Sequence, residues 1–372
     1  MRPGAGVAWL ANSGTGLRTA VDHLTAVGAA TKTATAGKPV LVGTISDVGF
    51  PRAMEFDPRG GILSANNASG AQTNFWNVAD PANPTVVSSI RAIEDVNAGT
   101  FSPDGNYFYI VGQQDDWLTV YSVSDIANPL RVGGTGDRSN RPGGVAVSPN
   151  GHIVAGEPFG GAGGGDLVLW DVTDPTLPIQ LSVRGVEGSL DISPKAFGLD
   201  GRILAIGQSV GGCPLMCGVP FRFYTVLLDV SDPASPTTVA TMNAQTGSPL
   251  AFSPDGRTLA AAGTSTPAAL FDVSTPTSPR EVPLQMNEPL TAVAFRPGGA
   301  MLATGDGGGT VTLWDVSGDA PKRVLKLANH AGWIRALAFS PDGLTLAMDA
   351  CKATTQSSSQ CADEIQLWRL AL

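Results

Sequence analysis

Phe101-Ser102-Pro103-Asp104-Gly105 stands between two short apolar runs, and variants of it recur through the 372-residue chain. The proline presets the backbone angle at the second turn position and the glycine accepts a positive one, so Ser102-Pro103-Asp104-Gly105 reverses the chain. The other copies are Phe56-Asp57-Pro58-Arg59-Gly60, Val147-Ser148-Pro149-Asn150-Gly151, a worn Gly198-Leu199-Asp200-Gly201, Phe252-Ser253-Pro254-Asp255-Gly256, Phe295-Arg296-Pro297-Gly298-Gly299 and Phe339-Ser340-Pro341-Asp342-Gly343. Their closing glycines lie 45, 46, 50, 55, 43 and 44 residues apart, the length of one propeller blade. Seven units predict an all-β, seven-bladed β-propeller of four-stranded antiparallel blades.

Each unit parses into four short strands. In the fifth, residues 249–252 read as a first strand, 258–262 as a second, 269–273 as a third and 281–284 as a fourth. A second punctuation mark follows the third strand: Asp80-Pro81-Ala82-Asn83-Pro84, Asp125-Ile126-Ala127-Asn128-Pro129, Asp174-Pro175-Thr176-Leu177-Pro178, Asp232-Pro233-Ala234-Ser235-Pro236 and Thr275-Pro276-Thr277-Ser278-Pro279. Proline cannot donate to a ladder, so these segments are rigid connectors outside the sheet. The last unit stops at a third strand, residues 364–372, while residues 39–45 read as a spare fourth strand. Pairing the two removes two exposed edges and closes the ring.

Leu169-Trp170-Asp171-Val172 and Leu313-Trp314-Asp315-Val316 resemble the third-strand signature of WD-repeat propellers. Leu327-Ala328-Asn329-His330, with Trp333 and Phe339-Ser340-Pro341-Asp342-Gly343, resembles the Gly-His to Ser-Pro-Asp-Gly segment of the same family. The resemblance covers residues 39–372. Asn329 stands where the family has glycine, and the remaining third strands read Trp76-Asn77, Tyr121-Ser122, Leu228-Asp229, Phe271-Asp272 and Trp368-Arg369. Most blades therefore lack the family's buried polar tetrad. The Asp-Pro-x-x-Pro connectors resemble those of bacterial surface-type propellers with Leu-Val-Ile-Val-Asp repeats, which serve unrelated functions.

The net charge is -9, and no run of Lys and Arg occurs. That argues against a phosphate-tracking surface, and no nucleic-acid partner is expected. No apolar run approaches the ~20 residues of a membrane helix, so no membrane insertion is expected either. Residues 39–372 read as one monomeric ring, preceded at 1–38 by an extension or partial-blade remnant. Within it, residues 7–18 look like a second-to-third strand hairpin without its first strand. Arg2 is followed by Pro3-Gly4-Ala5-Gly6 rather than by an apolar stretch, so no export signal is read.

The four cysteines form two local pairs, Cys213 with Cys217 and Cys351 with Cys361. Cys351 ends a strand and Cys361 begins its hairpin partner, so the two are expected side by side at disulfide range. Free thiols are the alternative; a metal site lacks a histidine and, at the second pair, a knuckle spacing. Bridged cysteines place the protein outside the reducing cytoplasm. The paired cysteines thus favour a secreted or cell-surface protein, and the cytoplasm is the alternative because no export signal is visible.

In a four-stranded meander, first-to-second turns and third-to-fourth connectors share one face, and second-to-third loops and blade junctions share the other. The first face is expected to be plain. The second carries the long insertions at 157–166, 208–223 and 351–363, and function concentrates on such loops. Around its axial mouth the junctions should present Arg52, Glu94, Asp95, Arg138, Arg141, Glu187, Gln245, Glu288, His330 and Trp333, with Phe159 on a neighbouring loop. Mixed charge with aromatic and Arg anchors suits protein recognition. Trp170, Trp314 and Trp368 are expected to pack within blades, and His152 to be solvated.

No Cys-x-x-Cys-His segment occurs, and His23, His152 and His330 fall on different parts of the fold. A lactonase-like hydrolase would need Glu94, Asp95, Glu187 and Glu288 to hold a cation at the axial mouth, where Arg52 and Arg141 offset their field. The expectation is a non-catalytic module that binds a protein or peptide partner, with no cofactor and no metal.

Overall fold

The computed structural model describes residues 38–46, 48–49, 51–67, 72–91, 99–113, 116–135, 144–157, 166–185, 195–210, 222–242, 249–261, 269–284, 286, 288–329, 332–353 and 361–371. Residues 38–371 form one compact unit of seven four-stranded antiparallel sheets. Blade 1 comprises Pro51–Phe56, Ile62–Asn67, Gln72–Asn77 and Thr85–Arg91, and blades 2 to 6 begin at Gly99, Val145, Lys195, Leu250 and Leu290. Blade 7 takes three strands, Leu337–Phe339, Thr345–Ala353 and Cys361–Arg369, from one end of the chain and Val40–Ser46 from the other. First strands of every neighbouring pair of blades touch, blade 7 to blade 1 included, so they form the inner wall of a closed ring.

Closure follows the expected pairing. Val40 lies opposite Arg369 and Ser46 opposite Glu364, antiparallel, and Ile45 is buried among Ile365, Leu367 and Ala338. The unpaired edge of each would otherwise be a template for another chain.

Serine and aspartate contribute to the recurring turn as much as proline and glycine do. Ser102 Oγ donates to Asp104 Oδ1 at 2.5 Å and accepts the Tyr107 amide at 2.9 Å. Ser148 with Asn150, Ser253 with Asp255 and Ser340 with Asp342 repeat the arrangement. The hydroxyl of Ser253, with the Arg257 amide, holds the Asp255 carboxyl below the usual carboxylate range. The Asp-Val at third-strand ends has a comparable logic. Asp171, Asp229, Asp272 and Asp315 each cap the amide two residues on at 2.8–3.1 Å, while Val172, Val230 and Val273 plug the layer beneath.

Six of the seven outer strands slip by one residue at the same place, leaving Val42, Val87, Val132, Leu181, Val239 and Val324 as the extra residues. Such bulges twist an exposed edge away from foreign strands. In blades 7, 2 and 1 they also bring the following residue onto the next blade's connector. A Cβ on Gly43 would lie 1.8 Å from the Pro81 carbonyl oxygen, and one on Gly133 would lie 2.3 Å from that of Pro175. At the equivalent place in blade 1, the Ser88 hydroxyl donates to the Ile126 carbonyl. Blade 5 has only four-residue second, third and fourth strands and no bulge.

Candidate functional site

The expected loop-face site is described best around blade 6, whose strands Met301–Asp306 and Thr310–Asp315 are joined by Gly307-Gly308-Gly309. Asp306, 5% exposed, accepts the amides of Gly308 at 3.0 Å and Thr310 at 2.8 Å, which fixes this side-chain-free tip. Both neighbouring junctions are tied to it. The Gly307 amide donates to the Pro289 carbonyl at 3.4 Å, and the Ile334 amide donates to that of Asp306 at 3.3 Å. Glu288 and Trp333 therefore flank one hairpin from opposite sides.

Trp333 is 64% exposed, with its pyrrole edge beside Gly307. The residues after it are buried. Ile334 packs where a side chain on Gly305 would stand, within 2.6 Å of the Cβ position, and its carbonyl accepts the Thr291 hydroxyl at 2.5 Å. Arg335 pairs with the fully buried Asp349 at 3.6 Å. An exposed ring on a pinned backbone loses little freedom on binding.

On the other flank, a cleft of about 270 Å³ is lined by Met286, Glu288, Asp306, Trp314, Arg323 and Lys326, among others. Arg323 lies opposite Trp314 and Lys326 opposite Thr312, so the bulge at Val324 puts both cations on the face that carries those two residues. The Trp314 indole donates to Thr304 Oγ1 at 2.9 Å. In blade 3 the place of Thr304 is taken by Gly156, and the buried Trp170 indole N–H has no partner among the described residues.

Arg52 lies within the first strand of blade 1, in the irregular stretch between Pro51 and Met54, rather than in a junction loop. Glu94, Asp95, Arg138, Arg141, Phe159, Glu187, Gln245, His330, His23, Cys213 and Cys217 lie outside the described residues, as do residues 1–37. The other cysteine pair needs correction. Cys351 lies opposite Asp363 and Cys361 opposite Ala353, so the two are diagonal across the hairpin, about 7–8 Å apart by sheet geometry and outside the usual disulfide range. A disulfide is not supported. Trp170 and Trp314 are buried and Trp368 is half-buried, as expected, and His152 is exposed beside Thr173. Among the described residues, no three His, Cys, Asp or Glu side chains stand close enough to hold a metal ion.

Two features escaped the sequence reading. The turn face is not plain: a groove of about 610 Å³ opens between blades 4 and 5, lined by Leu199, Ile203, Phe252 and Pro276 with Arg202 and Asp255 at its rim. At the worn turn Gly198 has no hydroxyl to bond Asp200, and Leu199, standing where proline is usual, is 60% exposed. The second feature is Glu55, which takes the position held in the other first strands by Thr100, Ala146, Ala196, Ala251, Ala294 and Ala338. Its carboxylate reaches blade 2, accepting the Phe101 amide at 3.0 Å and the Thr100 hydroxyl at 3.3 Å. Burial pushes it up to about 7, against the lowering effect of those two bonds, and the Asp57 charge adds to the rise.

A raised carboxyl destabilises the fold when ionised. The folded chain holds a proton between about pH 4.5 and 7 that the unfolded chain has released, so Glu55's contribution is complete below that window and lost as pH rises through it. Replacing Glu55 with Gln should remove about 2 kcal/mol of this pH dependence, less than the full shift implies because the side chain is only partly buried. Urea unfolding of both proteins at pH 5 and pH 8 checks this; equal pH slopes would refute it.

A family model described as "WD domain, G-beta repeat" matches residues 284–315 and 321–351, the approach and body of blade 6 and the start of blade 7. No curated protein matches the chain. Among solved structures, a chain of a mitotic checkpoint complex is 16% identical with a TM-score of 0.62, over 91% of this chain and 96% of that one. The Cps50 (Swd1) beta-propeller domain from Myceliophteria thermophila is 16% identical with a TM-score of 0.67, over 89% of this chain and 99% of that one. At such identity the likeness is one of fold. With seven closed four-stranded blades and the repeat signature in two of them, the chain is a WD-repeat-like seven-bladed propeller.

Proposed function

We propose that this propeller is a non-catalytic scaffold that binds a protein or peptide partner on its loop face, residues 39–372 forming the binding ring and 1–38 an appended segment. The observation that carries this reading is Trp333: an exposed indole on a backbone pinned by Ile334 and by the Arg335–Asp349 pair. Aromatic anchors of this kind supply a large share of interface energy. Two structurally similar chains come from a mitotic checkpoint complex, which is an assembly, and from Cps50 (Swd1). Arg52, Asp95, Arg141, Phe159, Glu187, Glu288 and His330 are the remaining candidates for the contact surface.

The test is capture of a native partner from source extract by the purified ring. Trp333→Ala should weaken capture about tenfold or more, the 1.4 kcal/mol or greater typical of an anchor. Substituting Asp104 or Asp255 on the turn face should change stability alone. Capture that survives Trp333→Ala and fails in the turn-face variants would overturn the choice of face.

A further inference from the structure

At blade 6 the second-to-third connection on the loop face is the three-glycine tip Gly307–Gly309. Trp333 stands on one side of this tip and the charged cleft on the other. The outer strand beyond the cleft, Lys322–Asn329, carries Lys322, Arg323 and Lys326, all exposed, in a chain whose net charge is -9. Among the described residues neither Arg323 nor Lys326 has an ion-pair partner. Glu288 and Asp306, the two carboxylates that line the cleft, disfavour an anion beside them and so leave Arg323 and Lys326 as the place for one.

We infer that the saddle formed by the glycine tip receives an extended acidic segment of a protein partner, seating an apolar or aromatic residue on Trp333 and acidic side chains at Arg323 and Lys326. This rests on the protein-binding reading above and specifies its chemistry. The tip carries no side chains, so a partner backbone can cross it closely. The two cations share a face because of the bulge at Val324, and together they set the direction in which the segment lies.

The probe is an acetylated, amidated tetrapeptide of phenylalanine, glycine, aspartate and glutamate, titrated into the full chain labelled with 15N at its seven tryptophan indoles. Trp333→Phe assigns the Trp333 signal. The acidic peptide should shift that signal saturably, and added salt should weaken the effect. Arg323→Gln with Lys326→Gln should reduce affinity roughly fivefold, while Glu288→Gln should raise it. A peptide with lysines in place of the acidic residues, or a short oligothymidylate, should bind more weakly. Unchanged affinity in the double charge variant, or an equal response to the basic peptide or oligothymidylate, would overturn the inference. If the probe fails while Trp333→Ala still abolishes capture of the native partner, only the acidic-segment inference falls. If Trp333→Ala leaves capture intact, the underlying loop-face reading falls with it.

Discussion

Gly133→Ala should destabilise the ring by about 3 kcal/mol, the upper end of the cost of forcing extra atoms into packed structure. The added carbon would sit 2.3 Å from the carbonyl oxygen of Pro175, which is main chain in a proline-stiffened connector and cannot swing aside as a side-chain tip would. Gly43→Ala, where the approach to Pro81 is closer still at 1.8 Å, should cost at least as much. Gly318 supplies the control: nothing lies within 4 Å of a Cβ placed there, so Gly318→Ala should leave the unfolding midpoint within experimental error. A urea midpoint for Gly133→Ala equal to that of the control would show that the contact between outer strand and connector does not hold blades together.

The second large effect concerns closure. Removing residues 1–46 takes away the strand Val40–Ser46, exposing Ile365 and Leu367 from the core they share with Ile45 and leaving a third strand as a bare edge. The loss should be on the order of 5 kcal/mol, from the burial of Ile45 and its neighbours together with the lost ladder. Unfolding should broaden as well, because a ring opened at one blade frays from there. A shorter deletion, of residues 1–37, leaves the strand in place and should melt like the intact chain. A synthetic peptide spanning residues 38–48 should partly restore the longer deletion. Equal melting of the two deletions would refute closure as the source of the effect.

The fold was legible because the turn chemistry is local. Ser253-Pro254-Asp255-Gly256 reverses the chain by its own backbone preferences and its own hydroxyl–carboxylate bond, so each repeat announces its hairpin without help from distant residues. The spare strand at 39–45 was found by the same reasoning, since an orphan edge at each end has one economical remedy. The outer bulges were not legible. Val87 and Val132 look like ordinary strand residues, and only the register against the third strand, with the connector of the next blade alongside, shows that a small residue must follow.

The same division runs through the site. Trp333 and Glu288 were placed at blade junctions by counting strands, and the structure sets them on either flank of one hairpin. Arg323 and Lys326 were missed because residues three apart fall on opposite faces of a regular strand, and the bulge between them reverses that. Glu55 left a signal in the repeat alignment, an acid where five units have alanine and one has threonine. Its perturbed titration depends on burial and on the Phe101 amide of the adjoining blade, which composition does not reveal. The diagonal placement of Cys351 and Cys361 has a similar origin: sequence fixes how far apart they are along the chain, while hairpin register decides whether they meet.

Closing the ring with Val40–Ser46 also sets a schedule for biosynthesis. The strand that seals blade 7 leaves the ribosome about 320 residues before its partner Cys361–Arg369. At ~5–20 residues per second that is a wait of roughly 16 to 64 s, during which Val40, Leu41 and Ile45 have no sheet to join. Six blades can form in that interval, each docking on the one before it, while the sealing strand stays an open edge beside a growing row of others. The nascent chain is then most exposed to self-association just before Cys361–Arg369 emerges, when the ring is nearly built and still unlocked. A holdase that engages Val40–Ser46 as it emerges should therefore raise the soluble yield of this protein more than one that acts on the closed ring.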